Sequence, residues 1–209
     1  MQQSEKSIIH NPPFITNSPE QPSLLTQTSG KLIALQPMLK FRMYKTPFLL
    51  KSAFPGLVWH KQPSRPTIYL TFDDGPSPQY TPWVLAQLTQ YEAKATFFCV
   101  GANAEQHPDL VREIKTKGHQ LGNHTHHHLN GWKHSSTAYE KDVNQCHKAI
   151  PSKLFRPPYG KISGRQLKRL KALGYEIIMW DVLSYDFDQN VSTKSALKHC
   201  IKATKPGTI

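Results

Sequence analysis

Residues 68–76 read Ile68-Tyr69-Leu70-Thr71-Phe72-Asp73-Asp74-Gly75-Pro76. The first five, β-branched, aromatic and aliphatic, have the composition of a strand. Gly75-Pro76 closes the run with turn chemistry. Asp73 and Asp74 are therefore adjacent carboxylates at a strand end. In parallel α/β architectures that is where working residues gather. One carboxylate can bind a metal ion while its neighbour stays free as a base. Taken alone, the stretch is described equally well as a solvated turn or a helix cap.

A regular beat runs outward from this strand. Residues 82–91 read as a helix with Trp83, Leu85 and Leu88 on its apolar face, and 95–100 read as a strand. Residues 109–117 follow as a helix, with Pro108 at its start and Gly118 past its end. A short run at 120–123, a helix at 137–150 and a strand at 153–156 come next. Then come a helix at 164–173 closed by Gly174, a strand at 175–181 and a helix at 193–203. Gly207-Thr208-Ile209 opens one more strand. This alternation with short links predicts a parallel α/β sheet or barrel.

Upstream the character changes. The first forty residues are rich in Gln, Ser, Asn, Thr and Pro, without sustained apolar period, so 1–42 is expected to be disordered or foreign to the fold. Lys6 is the only Lys or Arg before Lys31, and no 7–15-residue apolar core follows it, so no secretory signal is read there. On that basis a cytoplasmic location is favoured. Met43, where aromatic and aliphatic residues become frequent, is the expected biological start. Residues 43–65 form a lead-in, and 66–209 form the domain.

Composition narrows the classes. The chain has 209 residues, 38% of them hydrophobic and 19% charged, and contains no apolar run long enough for a transmembrane helix. The 26 Lys and Arg against 14 Asp and Glu give +12, which favours polyanionic company. Arg165, Lys168, Arg169 and Lys171 in one helix fit a solvated face, and no nucleic-acid-binding motif is present, so no nucleic acid partner is expected. Cys99, Cys146 and Cys200 lack Cys-x-x-Cys spacing, which argues against a disulfide framework or a Cys-rich zinc module.

Three further strand ends carry chemistry. After 120–123 stands His124-Thr125-His126-His127-His128. The i,i+4 spacing of His124 and His128 puts both on one face of a helical segment, which suits two imidazoles on one Zn²⁺-like ion with a carboxylate as third ligand. His119, His126, His127 and His134 are assigned as bystanders. After 153–156, Pro157 and Pro158 fix the backbone, so Arg156 and Tyr159 are presented rigidly. After 175–181 comes a second acidic end, Asp181 to Asp188.

The ordered set Thr71-Phe72-Asp73-Asp74-Gly75-Pro76, His124-Thr125-x-x-His128 and Arg156-Pro157-Pro158-Tyr159 resembles the polysaccharide deacetylase family. The resemblance is to the chitooligosaccharide-deacetylase homology domain of carbohydrate esterase family 4, over about residues 66–209. It implies an α/β fold, a distorted (β/α) barrel, lacking its last strand in this chain. It also implies a hydrolase that removes N- or O-acetyl groups from an acetylated glycan by attack of metal-bound water.

By the same resemblance Asp74, His124 and His128 hold the metal, most naturally Zn²⁺, with Co²⁺ or Ni²⁺ as alternatives. Asp73 is the general base, Arg156 orients it and keeps it ionised, and the Tyr159 N–H stabilises the oxyanion. Asp186 matches the acid that tunes a catalytic histidine. Phe187 stands where the family has a Trp lining the acetyl pocket, alongside Pro157 and Pro158, and Leu183 replaces an Asp. The family's final histidine motif has no counterpart before Ile209. His199, inside a predicted helix, is a poor substitute, so impaired turnover is expected. Candidate substrates are peptidoglycan, chitin-like and xylan-like glycans. A non-catalytic glycan-binding relative is the alternative reading.

Overall fold

The computed structural model describes residues 42–209; apart from Arg42, the expected N-terminal tail lies outside the described residues. Five strands, β1 (Leu70–Asp73), β2 (Ala95–Cys99), β3 (Gln120–Asn123), β4 (Leu154–Phe155) and β5 (Glu176–Ile177), form one sheet in the order β1-β2-β3-β4-β5. Every pair is parallel, with Asp73 opposite Phe98, Cys99 opposite Asn123, and Asn123 opposite Phe155. Strands added in sequence order on one edge step around like the wall of a barrel, with their carboxyl ends aligned.

Between them run α2 (Thr81–Gln90), α3 (Gly101–Gln106), α4 (Pro108–Thr116), α5 (Ser136–Ala149) and α6 (Gly164–Ala172). Helix α1 (Phe48–Ala53) precedes the sheet and α7 (Thr193–Ala203) follows it. Local signals start and stop these helices. Ser135 caps α5 by accepting from the Ala138 N–H, and Ser163 and Gln166 form a reciprocal capping box on α6. Gly118 and Gly174 stand just past α4 and α6 with φ of 76° and 81°, conformations that other residues adopt only with strain. Helices α1 and α3 escape the sequence reading. Each is six residues long, and α1 buries no residue at all, so neither shows an apolar period.

The sheet faces two cores, and β2 shows the split. Phe97 packs outward with Leu85, Leu88, Ile114 and Ile150, while its neighbour Phe98 packs inward with Ile178 and Ile209. Tyr139 and Val143 of α5 meet Phe155, Leu170 and Ile177 in the second outer cluster. The inner face is small because the sheet curls. Val58 pairs alongside β5, accepting from the Met179 N–H at 2.7 Å. Thr208 and Ile209 accept from Tyr69 N–H at 2.8 Å and Asp181 N–H at 2.9 Å, so one segment bonds both flanks of the sheet. That is the arrangement of an incompletely closed barrel, as expected from the sequence. No described helix is long and apolar enough to cross a membrane.

Candidate active site

The aligned strand ends bring Asp74, His124 and His128 together. The Asp74 Oδ1 lies 3.0 Å from His128 Nε2 and 3.4 Å from His124 Nε2, and ligand atoms from all three residues fall within 4.8 Å of one another. His124 is buried, and its Nδ1–H donates to the Arg156 carbonyl at 2.7 Å. A carbonyl only accepts, so the neutral imidazole carries its proton on Nδ1 and turns an Nε2 lone pair toward Asp74. A lone pair and a carboxylate this close repel unless a proton or a cation lies between them. The donor set therefore fits a divalent ion bound by two imidazoles and one carboxylate. With a proton in that gap, donated from Nε2, the imidazoles of His124 and then His128 hold the Asp74 carboxyl well below the usual carboxylate range, against the opposing effect of its partial burial.

The two histidines do not converge through a helix. Residues 124–128 form a loop after β3, in which Thr125 and His128 adopt φ of 62° and 54°. A left-handed residue just after His124, and another at His128 itself, fold the loop back so that both rings reach Asp74. Asp74 and Tyr159 add φ of 68° and 59°. Four non-glycine residues in this region cost of the order of 1–3 kcal/mol each, most plainly for β-branched Thr125. Such strain persists only where the surroundings impose it. Close packing behind the loop is visible at Gly122, where a Cβ would stand 2.3 Å from the Phe98 ring.

Arg156, at the end of β4, is only 2% exposed. Its Nη1 donates to Asp73 Oδ1 at 2.7 Å and to Thr71 Oγ1 at 2.8 Å. Nε and Nη2 donate to the carbonyls of Ile178 at 3.2 Å and Met179 at 3.0 Å. The guanidinium lies 4.2 Å over the Phe98 ring, so it ties β1, β2 and the chain just after β5 to the end of its own strand. Burial lowers its pKa from the usual arginine value, with Asp73 opposing. The consequence for Asp73 is a fixed carboxylate beside Asp74, engaged through Oδ1.

Pro157 and Pro158 are buried, while Tyr159 is exposed and its hydroxyl meets His128 Nδ1 at 3.1 Å. The Tyr159 N–H finds no acceptor among the described residues. The remaining candidates lie elsewhere. Asp186 is exposed and accepts from the Ser184 hydroxyl. Phe187 is exposed against Tyr185, with ring centroids 5.7 Å apart. The buried acid of that stretch is Asp181, which pairs with Lys51 and lies 3.3 Å from His60 Nδ1. His199 stacks on Tyr44, with centroids 4.2 Å apart. Among the histidines assigned as bystanders, His119 is buried against Phe97, and burial lowers its pKa. His134 Nδ1 meets the Asn130 carbonyl at 2.9 Å.

Sequence reasoning missed Thr71, Lys51, His60, Asn123 and Asp142. For the last of these a signal existed: an acid at 142 inside the buried stripe of Tyr139, Val143 and Cys146.

Comparison with known proteins follows the same residues. Residues 60–178 match the family model described as polysaccharide deacetylase. A peptidoglycan-N-acetylglucosamine deacetylase of Bacillus cereus is 36% identical over 159 residues, 73% of this chain and 75% of that protein. A chitooligosaccharide deacetylase of Azorhizobium caulinodans is 31% identical over 150 residues, 68% of this chain and 71% of its own length. The chain spans 54% and 58% of two longer Bacillus relatives. A crystal structure of the Bc1960 peptidoglycan N-acetylglucosamine deacetylase superposes with a TM-score of 0.70 at 33% identity, covering 73% of this chain and 74% of that one. Sequence, motif order and sheet agree, and the chain belongs to the polysaccharide deacetylase family.

Proposed function

We propose that this chain is a metal-dependent hydrolase that removes acetyl groups from N-acetylated sugars of a glycan, with peptidoglycan or chitin-like oligomers ahead of O-acetylated xylan. One observation carries the reading: a two-imidazole, one-carboxylate donor set stands beside a second carboxylate held by a buried arginine. Asp74, His124 and His128 would hold the ion, with Zn²⁺ favoured by the ligand types and Co²⁺ or Ni²⁺ as alternatives. When bound, such an ion polarises an acyl oxygen and makes a nearby water more acidic.

The chain's own groups do the rest. Asp73 accepts the proton of the attacking water while Arg156 keeps its carboxylate oriented. The Tyr159 N–H, free of a protein acceptor, donates to the oxygen that gains charge as the acetyl carbon becomes tetrahedral. Buried Pro157 and Pro158 hold that amide in place. The family resemblance alone assigns Phe187 to the acetyl pocket and Asp186 to tuning an acid; here Phe187 is exposed against Tyr185 and Asp186 accepts from Ser184.

A non-catalytic glycan binder is the second reading, favoured by one observation. No described histidine is assigned to protonate the leaving nitrogen, since His199 stacks on Tyr44 and His60 Nδ1 faces Asp181. On the hydrolase reading Asp73 works without an assigned acid partner, a group worth roughly 10²–10⁴-fold in rate. The deciding experiment measures acetate released from acetylated chitooligosaccharides and peptidoglycan fragments, with zinc and with chelator. Slow, zinc-dependent release that Asp73→Asn abolishes supports the hydrolase. Glycan binding with no acetate supports the binder. Release indifferent to chelator would sink the metal-dependent reading.

A further inference from the structure

His126 and His127 connect the ligand loop to a helix behind it. Asp142, on α5, is 7% exposed. Its Oδ2 accepts the backbone N–H of His126 at 2.7 Å and that of His127 at 3.0 Å. Its Oδ1 lies 2.5 Å from Nδ1 of His127. One buried carboxylate thus takes three donors, all from the span between His124 and His128. We propose that Asp142 is a positioning residue: it fixes the spacing of the two histidine ligands by clamping the peptide groups between them. This rests on the reading of Asp74, His124 and His128 as a metal site.

The loop is held from two sides. The first amides of α3 take its carbonyls, Gly101 N–H to Thr125 O at 2.9 Å and Ala102 N–H to His126 O at 3.0 Å. Helix α5 takes its amides, through Asp142 and through Asn123. The Asn123 Oδ1 accepts from Thr125 N–H at 2.9 Å, while its Nδ2 donates to the Val143 carbonyl at 2.9 Å. The clamped stretch lies between the two left-handed residues, Thr125 and His128. Relaxing either toward ordinary backbone would swing a ligand ring away from Asp74. Without the Asp142 carboxylate, two loop amides lose their acceptor, so relaxation is the cheaper outcome. Asp142 touches neither ligand ring and acts only through the backbone, as groups behind a metal site do.

The test uses the whole chain with Asp142→Ala, Asp142→Asn and Asp142→Glu. Leu170→Ala serves as a control that loses core packing in α6. Zinc affinity is read by competition with a chromophoric chelator well below each melting temperature. Amide exchange at His126 and His127 is read on metal-free protein. Asp142→Ala is expected to weaken zinc binding roughly 10–100-fold and to speed exchange at those two amides. Asp142→Asn should fall between, and Asp142→Glu, which keeps the carboxylate, should retain more affinity than Asn. Leu170→Ala should lower the melting temperature and leave zinc affinity unchanged. Wild-type affinity and exchange in both the Asn and Ala variants would overturn the proposal, as would an equal loss of affinity in Leu170→Ala. If the wild-type chain takes up no zinc, the metal reading fails, and exchange at His126 and His127 alone decides the clamp.

Discussion

Two acidic strand ends face the same side of the sheet and are held in different ways. After β1, Asp73 and Asp74 find their partners at strand ends two and three strands along the sheet, His124 and His128 after β3 and Arg156 after β4. After β5, the stretch 181–188 is held by residues more than one hundred positions earlier. Lys51 and His60 face Asp181, Tyr44 O accepts from Leu183 N–H at 3.0 Å, and Arg42 pairs with Asp188 at 2.8 Å. The sheet itself builds the first end, because parallel register delivers the partners. A strap laid over the barrel mouth builds the second. Chemistry set by register can be inferred from motif order, whereas chemistry set by a strap depends on contacts that no local pattern announces.

The contrast can be tested by removing one holding group at a time. The largest effect on turnover belongs to Asp73→Asn, expected to cut kcat roughly 10²–10⁴-fold while zinc uptake persists, because it removes the proposed base and leaves the proposed ligands in place. Steady-state acetate release with metal analysis checks this. Arg156→Ala should cost about 3 kcal/mol of stability, since it strands Asp73 and leaves two inward carbonyls without donors; urea midpoints read it. In the strapped end, Lys51→Met should cost less, about 1–3 kcal/mol, because His60 still faces the buried Asp181. Equal losses for the two substitutions would erase the distinction.

The smallest effect is a pH step. The Asn190 backbone N–H, then Arg42 and the Asn190 side chain, hold Asp188 at about 2, below its ordinary 3.8. A carboxyl with a depressed folded-state pKa stabilises the fold above the ordinary carboxylate range and loses that contribution as pH falls through about 2. In metal-free protein the Tyr44 and Tyr185 ring signals should therefore shift as pH drops from about 4 to about 2. The Asp188→Asn protein should show no such step.

The same division explains how much was legible in advance. Strands β1 and β2 and helices α4 to α6 stand where composition, Pro108, Gly118 and Gly174 put them, because each carries its own boundary signal. The grouping of Asp74, His124 and His128 was legible in two steps: the residues suggested two imidazoles with some carboxylate at the strand ends, and the family's motif order pointed to Asp74. The geometry that joins the histidines was not, since i,i+4 spacing fits a helix as well as a loop with two left-handed residues. Asp142 left one signal, an acid within the buried stripe of its helix, but nothing local told which amides it would take. Lys51 and His60 were invisible because their importance lies wholly in where Asp181 comes to rest.

The four left-handed residues, Asp74, Thr125, His128 and Tyr159, also carry a warning for anyone who would optimise this protein. A redesign scored on backbone preference alone would replace each with glycine or asparagine to relieve the left-handed strain. It would also erase two of the three proposed ligands, remove the Thr125 hydroxyl that accepts the Leu129 N–H, and remove the phenol that meets His128. Thermostabilised variants should therefore be sought on the solvent faces of α4 and α6, with these four positions held fixed.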